Sequence, residues 1–119
     1  MAFRNMDIRL RRAGSTYIVD ISGEMDLYNA HRLKEVVAKM LEKGIRDFVI
    51  NVDNVTYIDS TGIGALMHVH SKIKKENRRL LLANVKGTVR QVIQLTKLMD
   101  YFNIVENETA ALERLKTGA

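Results

Sequence analysis

Apolar residues recur along the chain with two different spacings, and the spacing changes from one segment to the next. In the segment MDIRLRR the apolar residues Met6, Ile8 and Leu10 alternate with polar ones, which is the two-residue period of a strand. The segment TYIVDIS repeats this alternation, and Ala13-Gly14-Ser15 between the two segments has the composition of a turn. The pattern predicts an antiparallel hairpin with one buried face.

The apolar spacing becomes helical between Tyr28 and Lys43, and Gly44 follows as a helix stop. The segments DFVINVDNV and RLLLANV are short and nearly continuous apolar runs, which suit central strands covered on both faces. Helical spacing returns after each of these runs, first around Ile63 and then around Val89. Near the end of the chain, FNIVEN is expected to hold a short edge strand and ETAALERL a final short helix.

The order of these segments is strand, strand, helix and then alternating strands and helices. Alternation of this kind places parallel neighbours in one sheet, here preceded by an antiparallel hairpin. The sequence therefore predicts an α/β domain with a mixed sheet of four to five strands and about four helices. The 119 residues include no proline and only seven glycines, so we expect a single domain over residues 1–119, with its core at about residues 6–115.

Composition and charge exclude several classes of function. The absence of cysteine rules out disulfides, thiol catalysis and cysteine metal sites. No apolar run approaches the ~20 residues of a membrane span, and the N-terminus has charges where a signal peptide is apolar, so we expect a cytoplasmic protein that does not enter membranes.

The net charge of +5 raises the possibility of a nucleic-acid partner. The densest basic run, KIKKENRR, lies at a predicted helix end, where cations complement the helix dipole. No aromatic residues are interleaved with it for base stacking. We therefore expect no direct nucleic-acid binding.

The segment NVTYIDSTGIGAL places a polar cluster, Asp59 to Gly62, between a predicted strand and a predicted helix. The loop that follows a parallel strand is a common functional position in α/β sheets. The simpler interpretation is that Ser60 or Thr61 only caps the helix. The alternative is a site that another protein reads or modifies. Gly62 and Gly64 similarly indicate close approach either of a partner or of the sheet beneath the helix.

The residues around this cluster do not assemble an enzyme. Ser60 lacks the Gly-x-Ser-x-Gly frame of a nucleophile elbow, and no Gly-Lys-Ser/Thr follows for a phosphate loop. His68 and His70 are two positions apart on a helix and cannot share a metal. We expect no catalytic residue, no metal site and no cofactor. His70 falls on the apolar stripe of its helix and is expected to be a partly buried core residue.

A second polar segment, SGEMDL, follows the second strand. Its acids Glu24 and Asp26 either favour the positive end of the first helix or contribute to a recognition surface, with Asp26 beside the Ser60 loop. Sequence spacing alone does not bring the two loops together.

Three segments of this sequence resemble the STAS domain, and more narrowly the bacterial anti-sigma factor antagonists. They are GEMD, VTYIDSTGIGAL, and LLLANV followed by VRQVIQLTKL, and the likeness runs from about Met6 to Leu115. Family members usually have leucine where Met25 stands, which is a volume-conserving change.

The resemblance implies a phosphorylation switch. The serine that matches the family's phosphorylation site is Ser60, with Thr61 as a rival acceptor. The kinase is an anti-sigma factor with a histidine-kinase-like ATPase fold. The unphosphorylated antagonist binds it and frees a sigma factor, and a PP2C-type phosphatase removes the phosphate. Any ATP and Mg²⁺ belong to the kinase. The implied partner-binding residues are Glu24, Asp26, Asp59, Ser60, Thr61 and Gly62.

Two other readings remain open at this point. One is a STAS subunit of a larger assembly, such as a lipid-transport complex or a stress-signalling scaffold, although the hydroxyls of Ser60 and Thr61 favour the switch. The other is a nucleic-acid binder, which rests on the positive charge alone. We expect a monomer.

Overall fold

One five-stranded sheet, flanked by helices, organises the α/β fold. The computed structural model of the protein describes residues 5–118. The strands are β1 (Met6–Ala13), β2 (Thr16–Met25), β3 (Asp47–Ile58), β4 (Arg79–Ala83) and β5 (Ile104–Val105), and the helices are α1 (His31–Glu42), α2 (Ser60–Lys75), α3 (Gly87–Leu95) and α4 (Glu108–Thr117). The strands lie in sequence order, with β1 antiparallel to β2 and all other neighbours parallel. The predicted mixed sheet is confirmed.

The helices cover the two faces of the sheet unequally. Buried residues of α1, α2 and α3 form one large core with Val19, Phe48 and Ile50 of the sheet. The opposite face carries a smaller core, in which Val49 of β3 packs with Ala111 of α4. The central strand β3 is therefore buried on both sides, as its nearly continuous apolar run predicts. Within residues 5–118, no helix combines the length and the apolar character needed to cross a bilayer.

Three local predictions were wrong. Strand β2 buries Ile18 as well as Val19, because α4 covers the face that alternation predicts to be exposed. Leu10 is 46% exposed, since it lies on the edge strand β1. Helix α1 begins at His31 and not at Tyr28.

Asn51 interrupts the apolar run of β3 because it belongs to a polar chain that crosses the sheet. Its side-chain amide donates to Asp20 Oδ1 at 2.9 Å, and its oxygen accepts from Asn84 Nδ2 at 2.8 Å. Asp20 in turn binds the guanidinium of Arg11, which also pairs with Glu108 at the start of α4. The bond from Arg11 lowers the pKa of Asp20. This chain links the hairpin to the last helix.

His70 lies in an aromatic cluster between α2 and the segment before β5. It is 4% exposed, and its ring centroid is 4.9 Å from that of Tyr101 and 5.6 Å from that of Phe102. The prediction of a core histidine is confirmed. Burial lowers the pKa of His70, and the nearby charge of Lys74 lowers it further.

We predict that the domain loses stability as the pH falls below the ordinary histidine pKa of about 6.5, because the unfolded chain then binds a proton that folded His70 resists. Urea titrations of wild type and His70→Phe between pH 7.5 and 5 measure this. The wild-type free energy of unfolding should fall relative to the variant, by at most about 1.4 kcal/mol per pH unit. Parallel curves for the two proteins would show that His70 carries no such linkage.

Candidate functional site

Asp59 forms the junction between the end of β3 and the start of α2. Its backbone is extended (φ −105°, ψ −175°), and its Oδ1 accepts the Gly62 N–H at 2.9 Å. This is the geometry of a helix N-cap. The interpretation that Ser60 or Thr61 caps the helix is therefore wrong, because the preceding aspartate performs that role.

Ser60 and Thr61 occupy the first turn of α2, and both are exposed. Since Asp59 satisfies the helix amide, neither hydroxyl is needed for capping, and within residues 5–118 neither has a hydrogen-bond partner. The junction thus presents two unengaged alcohols to solvent at the positive end of a helix dipole. An exposed alcohol in that position is open to another protein.

The β2–α1 loop is a rigid turn built around Asp26. The Asp26 carboxylate accepts the Tyr28 N–H at 2.9 Å, while its backbone N–H donates to Asn29 Oδ1 at 2.9 Å. Asn29 also donates from its side chain to the Glu24 carbonyl at 2.8 Å. These bonds form an Asx-type turn before α1, which explains why the helix starts late.

The structure corrects the expected roles of two predicted interface residues. Asp26 is only 5% exposed, so its carboxylate organises the turn and does not project outward. Helix α1 has no acidic residue in its own first turn, and Asp26 lies one turn before it, where its carbonyl accepts the Ala30 N–H at 3.0 Å. The helix-dipole role of Glu24 and Asp26 stays a prediction. Gly62 is buried too. Both residues support the surface from beneath, whereas Glu24 is half-buried at its border.

The second carboxylate oxygen of Asp59 joins the two loops. Asp59 Oδ2 accepts the Leu27 N–H at 3.2 Å, and the Asp59 N–H donates to the Met25 carbonyl at 3.2 Å. The expectation that the Asp26 loop lies beside the Ser60 loop is confirmed. The Asp59 side chain and backbone together fix their relative position.

Two apolar side chains next to this junction were missed from the sequence. Leu27 is 65% exposed and Tyr28 is 76% exposed, although both are large and apolar enough to be buried. We had placed Tyr28 at the start of a helix. The available signal was a leucine and a tyrosine inside a polar loop at the functional edge of the sheet. Exposed aromatic residues of this kind anchor many protein interfaces.

Gly62 allows α2 to pack closely on the sheet. A Cβ at this position would lie 2.6 Å from Ile58 Cγ1 and 3.0 Å from Met25 Cβ. Gly64, two residues later, is exposed and has no neighbour within 4 Å of the corresponding point. Gly62 therefore serves helix packing, whereas Gly64 leaves open space on the helix surface beside Ser60.

The surface at this edge therefore consists of Leu27, Tyr28, Ser60, Thr61 and Gly64, and we refer to it as the Ser60 surface. No group of three or more His, Asp or Glu side chains within residues 5–118 is arranged to hold a metal ion. The features that a partner protein could contact on this surface are its apolar area and its two hydroxyl groups.

Residues 7–111 match the family model of the STAS domain. The chain belongs to the STAS domain family. A protein of Staphylococcus aureus named anti-sigma-B factor antagonist is 29% identical to this STAS domain over 102 residues, which cover 86% of this chain and 94% of that protein.

Solved structures share the fold of this STAS domain. An anti-sigma factor antagonist from Mycobacterium paratuberculosis matches 94% of this chain and 95% of its own, with a TM-score of 0.85 and 21% identity. The Bacillus cell fate determinant SpoIIAA, in its phosphorylated form, matches 92% of this chain and 99% of its own, with a TM-score of 0.71 and 20% identity. At these identities the likeness establishes the fold alone.

The two glycines of α2 give a matched pair of variants. Gly62→Ala should lower the free energy of unfolding by ~1–3 kcal/mol, because the new methyl group overlaps Ile58 and Met25. Gly64→Ala should leave stability unchanged or raise it by up to ~1 kcal/mol, since alanine favours a helix. Urea denaturation measures both. Equal effects at the two positions would contradict the close-packing role of Gly62.

Proposed function

We propose that this STAS domain is an anti-sigma factor antagonist whose docking to an anti-sigma factor serine kinase is switched by phosphorylation of Ser60. The observation that carries the proposal is the exposed Ser60 hydroxyl, which is unengaged because Asp59 caps the helix. The name of the Staphylococcus aureus relative and the phosphorylated form in which SpoIIAA was solved support it.

In the proposed cycle the unphosphorylated domain binds the kinase through the Ser60 surface. Leu27 and Tyr28 supply apolar contact area, and the kinase, whose ATPase fold is of the histidine-kinase type, releases a sigma factor on docking. Transfer of a phosphoryl group to Ser60 ends the contact. A PP2C-type phosphatase then restores the alcohol, and the cycle begins again.

The physical basis of the switch is local charge and bulk. A phosphoserine adds about −1.5 to −2 charges at neutral pH. The amides and dipole at the start of α2 favour an anion, so the phosphorylated domain stays folded. The phosphate lies next to the Asp59 carboxylate, whose two oxygens already accept the Gly62 and Leu27 N–H groups. Its negative charge adds to that of Asp59, and its volume occupies space that the docked kinase would contact, so both oppose docking.

We expect phosphorylation of Ser60 to weaken kinase binding more than a hundredfold, a change of ~3 kcal/mol, without loss of native structure. Calorimetric titration of the phosphorylated and unmodified domains with the kinase measures the first effect, and circular dichroism with thermal melting measures the second. Unfolding of the phosphorylated form would contradict the mechanism, as would unchanged affinity.

Two single variants identify the acceptor in the same experiment. After incubation with the kinase and ATP, mass spectrometry should detect no phosphate on Ser60→Ala and one phosphate on Thr61→Ala. Ser60→Ala should still bind the kinase. The reverse pattern would transfer the acceptor role to Thr61. Modification of both single variants would assign a phosphate to each hydroxyl.

We expect Leu27→Ala and Tyr28→Ala each to weaken kinase binding by at least ~1–2 kcal/mol, since exposed apolar anchors near an interface centre carry much of its energy. Leu95→Ala is the matched control, because Leu95 is 82% exposed at the far end of α3. All three variants should melt like wild type. If Leu95→Ala weakens binding as much as the other two, the Ser60 surface is not the docking site.

A further inference from the structure

A basic pocket lies at the edge of the sheet opposite Ser60, where β2, β3 and β4 begin. It encloses about 500 Å³. Four arginines and one aspartate line it, for a formal net charge of +3; they are Arg12, Arg46, Arg78, Arg79 and Asp47. Like charges held this close repel one another, so the pocket is electrostatically suited to an anion.

Two of the arginines are fixed by contacts inside the protein. Arg78 Nη1 donates to the carbonyl oxygens of Leu41 at 2.8 Å and Ile45 at 2.9 Å, which orient the guanidinium without neutralising it. Arg79 forms a two-pronged pair with Asp47 at 2.9 and 3.0 Å. Asp47 therefore balances the charge of Arg79, whereas Arg78 Nη2 lies 3.6 Å from a carboxylate oxygen of Glu76 in a looser ion pair.

Arg12 and Arg46 supply the charge that the protein leaves unbalanced. Arg12 donates from Nε to the Gly14 carbonyl at 2.9 Å and lies 5.7 Å from the centroid of the Tyr17 ring. Among residues 5–118, the Arg46 side chain has one hydrogen bond, a long one of 3.4 Å to the Asn77 carbonyl. Within residues 5–118 no carboxylate pairs with either of them. Both residues are exposed, with guanidinium donors available to a ligand.

Helix dipoles do not explain these two cations. The helices that follow parallel strands end at this edge, and basic residues in their last turns, such as Lys72 and Lys75 of α2, complement the helix dipoles. Arg12, however, belongs to strand β1, and Arg46 lies in the connection that leads into β3. Their positions next to Arg78 need another reason.

We propose that this pocket binds a compact ligand with two or more adjacent phosphate groups. Arginine forks match phosphate oxygens in pairs, and Arg12, Arg46 and Arg78 all line the pocket. The volume lies within the range of small-molecule sites, and the concave shape fits a compact anion better than a flat membrane surface. The site is separate from the Ser60 surface and does not depend on the proposed switch.

The test uses inorganic tripolyphosphate as the probe and the full chain in calorimetric titration at about 50 mM salt, where screening is weak. We expect saturable binding of one tripolyphosphate, at least tenfold tighter than orthophosphate. The double variant Arg12→Ala/Arg46→Ala should bind at least tenfold more weakly. The control is Arg9→Ala/Arg90→Ala, which removes two exposed arginines outside the pocket and changes the net charge equally.

Amide NMR of the wild-type chain locates the site without any variant. Tripolyphosphate should shift the amides of Gly14, Gly44 and Asn77, near the pocket, and leave those of Thr61 and Gly62 unchanged. The proposal is overturned if binding does not saturate or if the control loses as much affinity as the pocket variant. It is also overturned if a short single-stranded DNA binds the same arginines more tightly than tripolyphosphate, which would make this edge a nucleic-acid surface.

Discussion

The carboxylate of Asp59 is the interaction on which the functional edge of this domain depends. One oxygen caps α2 through the Gly62 amide, and the other holds the Leu27 amide of a loop 32 positions away in the chain. The sheet aligns the two strands as far as the bond from the Asp59 N–H to the Met25 carbonyl. The Asp59 side chain adds a bond between the loops themselves, so the loops form one surface in place of two independent turns.

Because Asp59 caps α2, the hydroxyl of the next residue, Ser60, is not needed as a cap. Serine is among the best N-cap residues, and a serine that caps a helix has its oxygen occupied. Here the cap is one position earlier, so Ser60 is helical and its hydroxyl faces solvent. Gly62 then brings this turn down onto Met25 and Ile58, which anchors it to the core. A rigid base beneath an exposed alcohol suits a reaction that changes the surface and leaves the fold intact.

The order of helices and strands was predictable because burial is patterned locally. The runs around Val49 and Leu81 indicate strands covered on both faces, and the helical stripes that follow them indicate crossovers, so the parallel part of the sheet follows from short windows of sequence. The burial of Ile18 was not predictable in this way, because it depends on α4, some 90 residues further along.

The position of the site in the fold was predictable, but its bonds and its two apolar residues were not. The Asp-Ser-Thr-Gly segment identified the junction, yet aspartate and serine are both good caps, and the sequence does not choose between Asp59 and Ser60. The inward orientation of Asp26 follows from its bond to the Tyr28 amide, a contact that competes with helix formation and delays α1. The exposure of Leu27 and Tyr28 depends on that turn, so the sequence pattern alone does not place them in the site.

The parallel topology separates the charges of the molecule as well as its loops. Helices that follow parallel strands begin at one edge and end at the other, so the N-cap of α2 lies near Ser60 while cations gather where the helices end. The dipoles explain the lysines of α2. They do not explain Arg12, which lies on an edge strand beside an aromatic ring and lines the basic pocket. Because the two edges are at opposite ends of the same strands, an anion at the basic edge is kept apart from any charge added at Ser60, and screening at physiological salt reduces their mutual repulsion further. The fold therefore permits two anion-dependent events on one small domain with little direct interference between them.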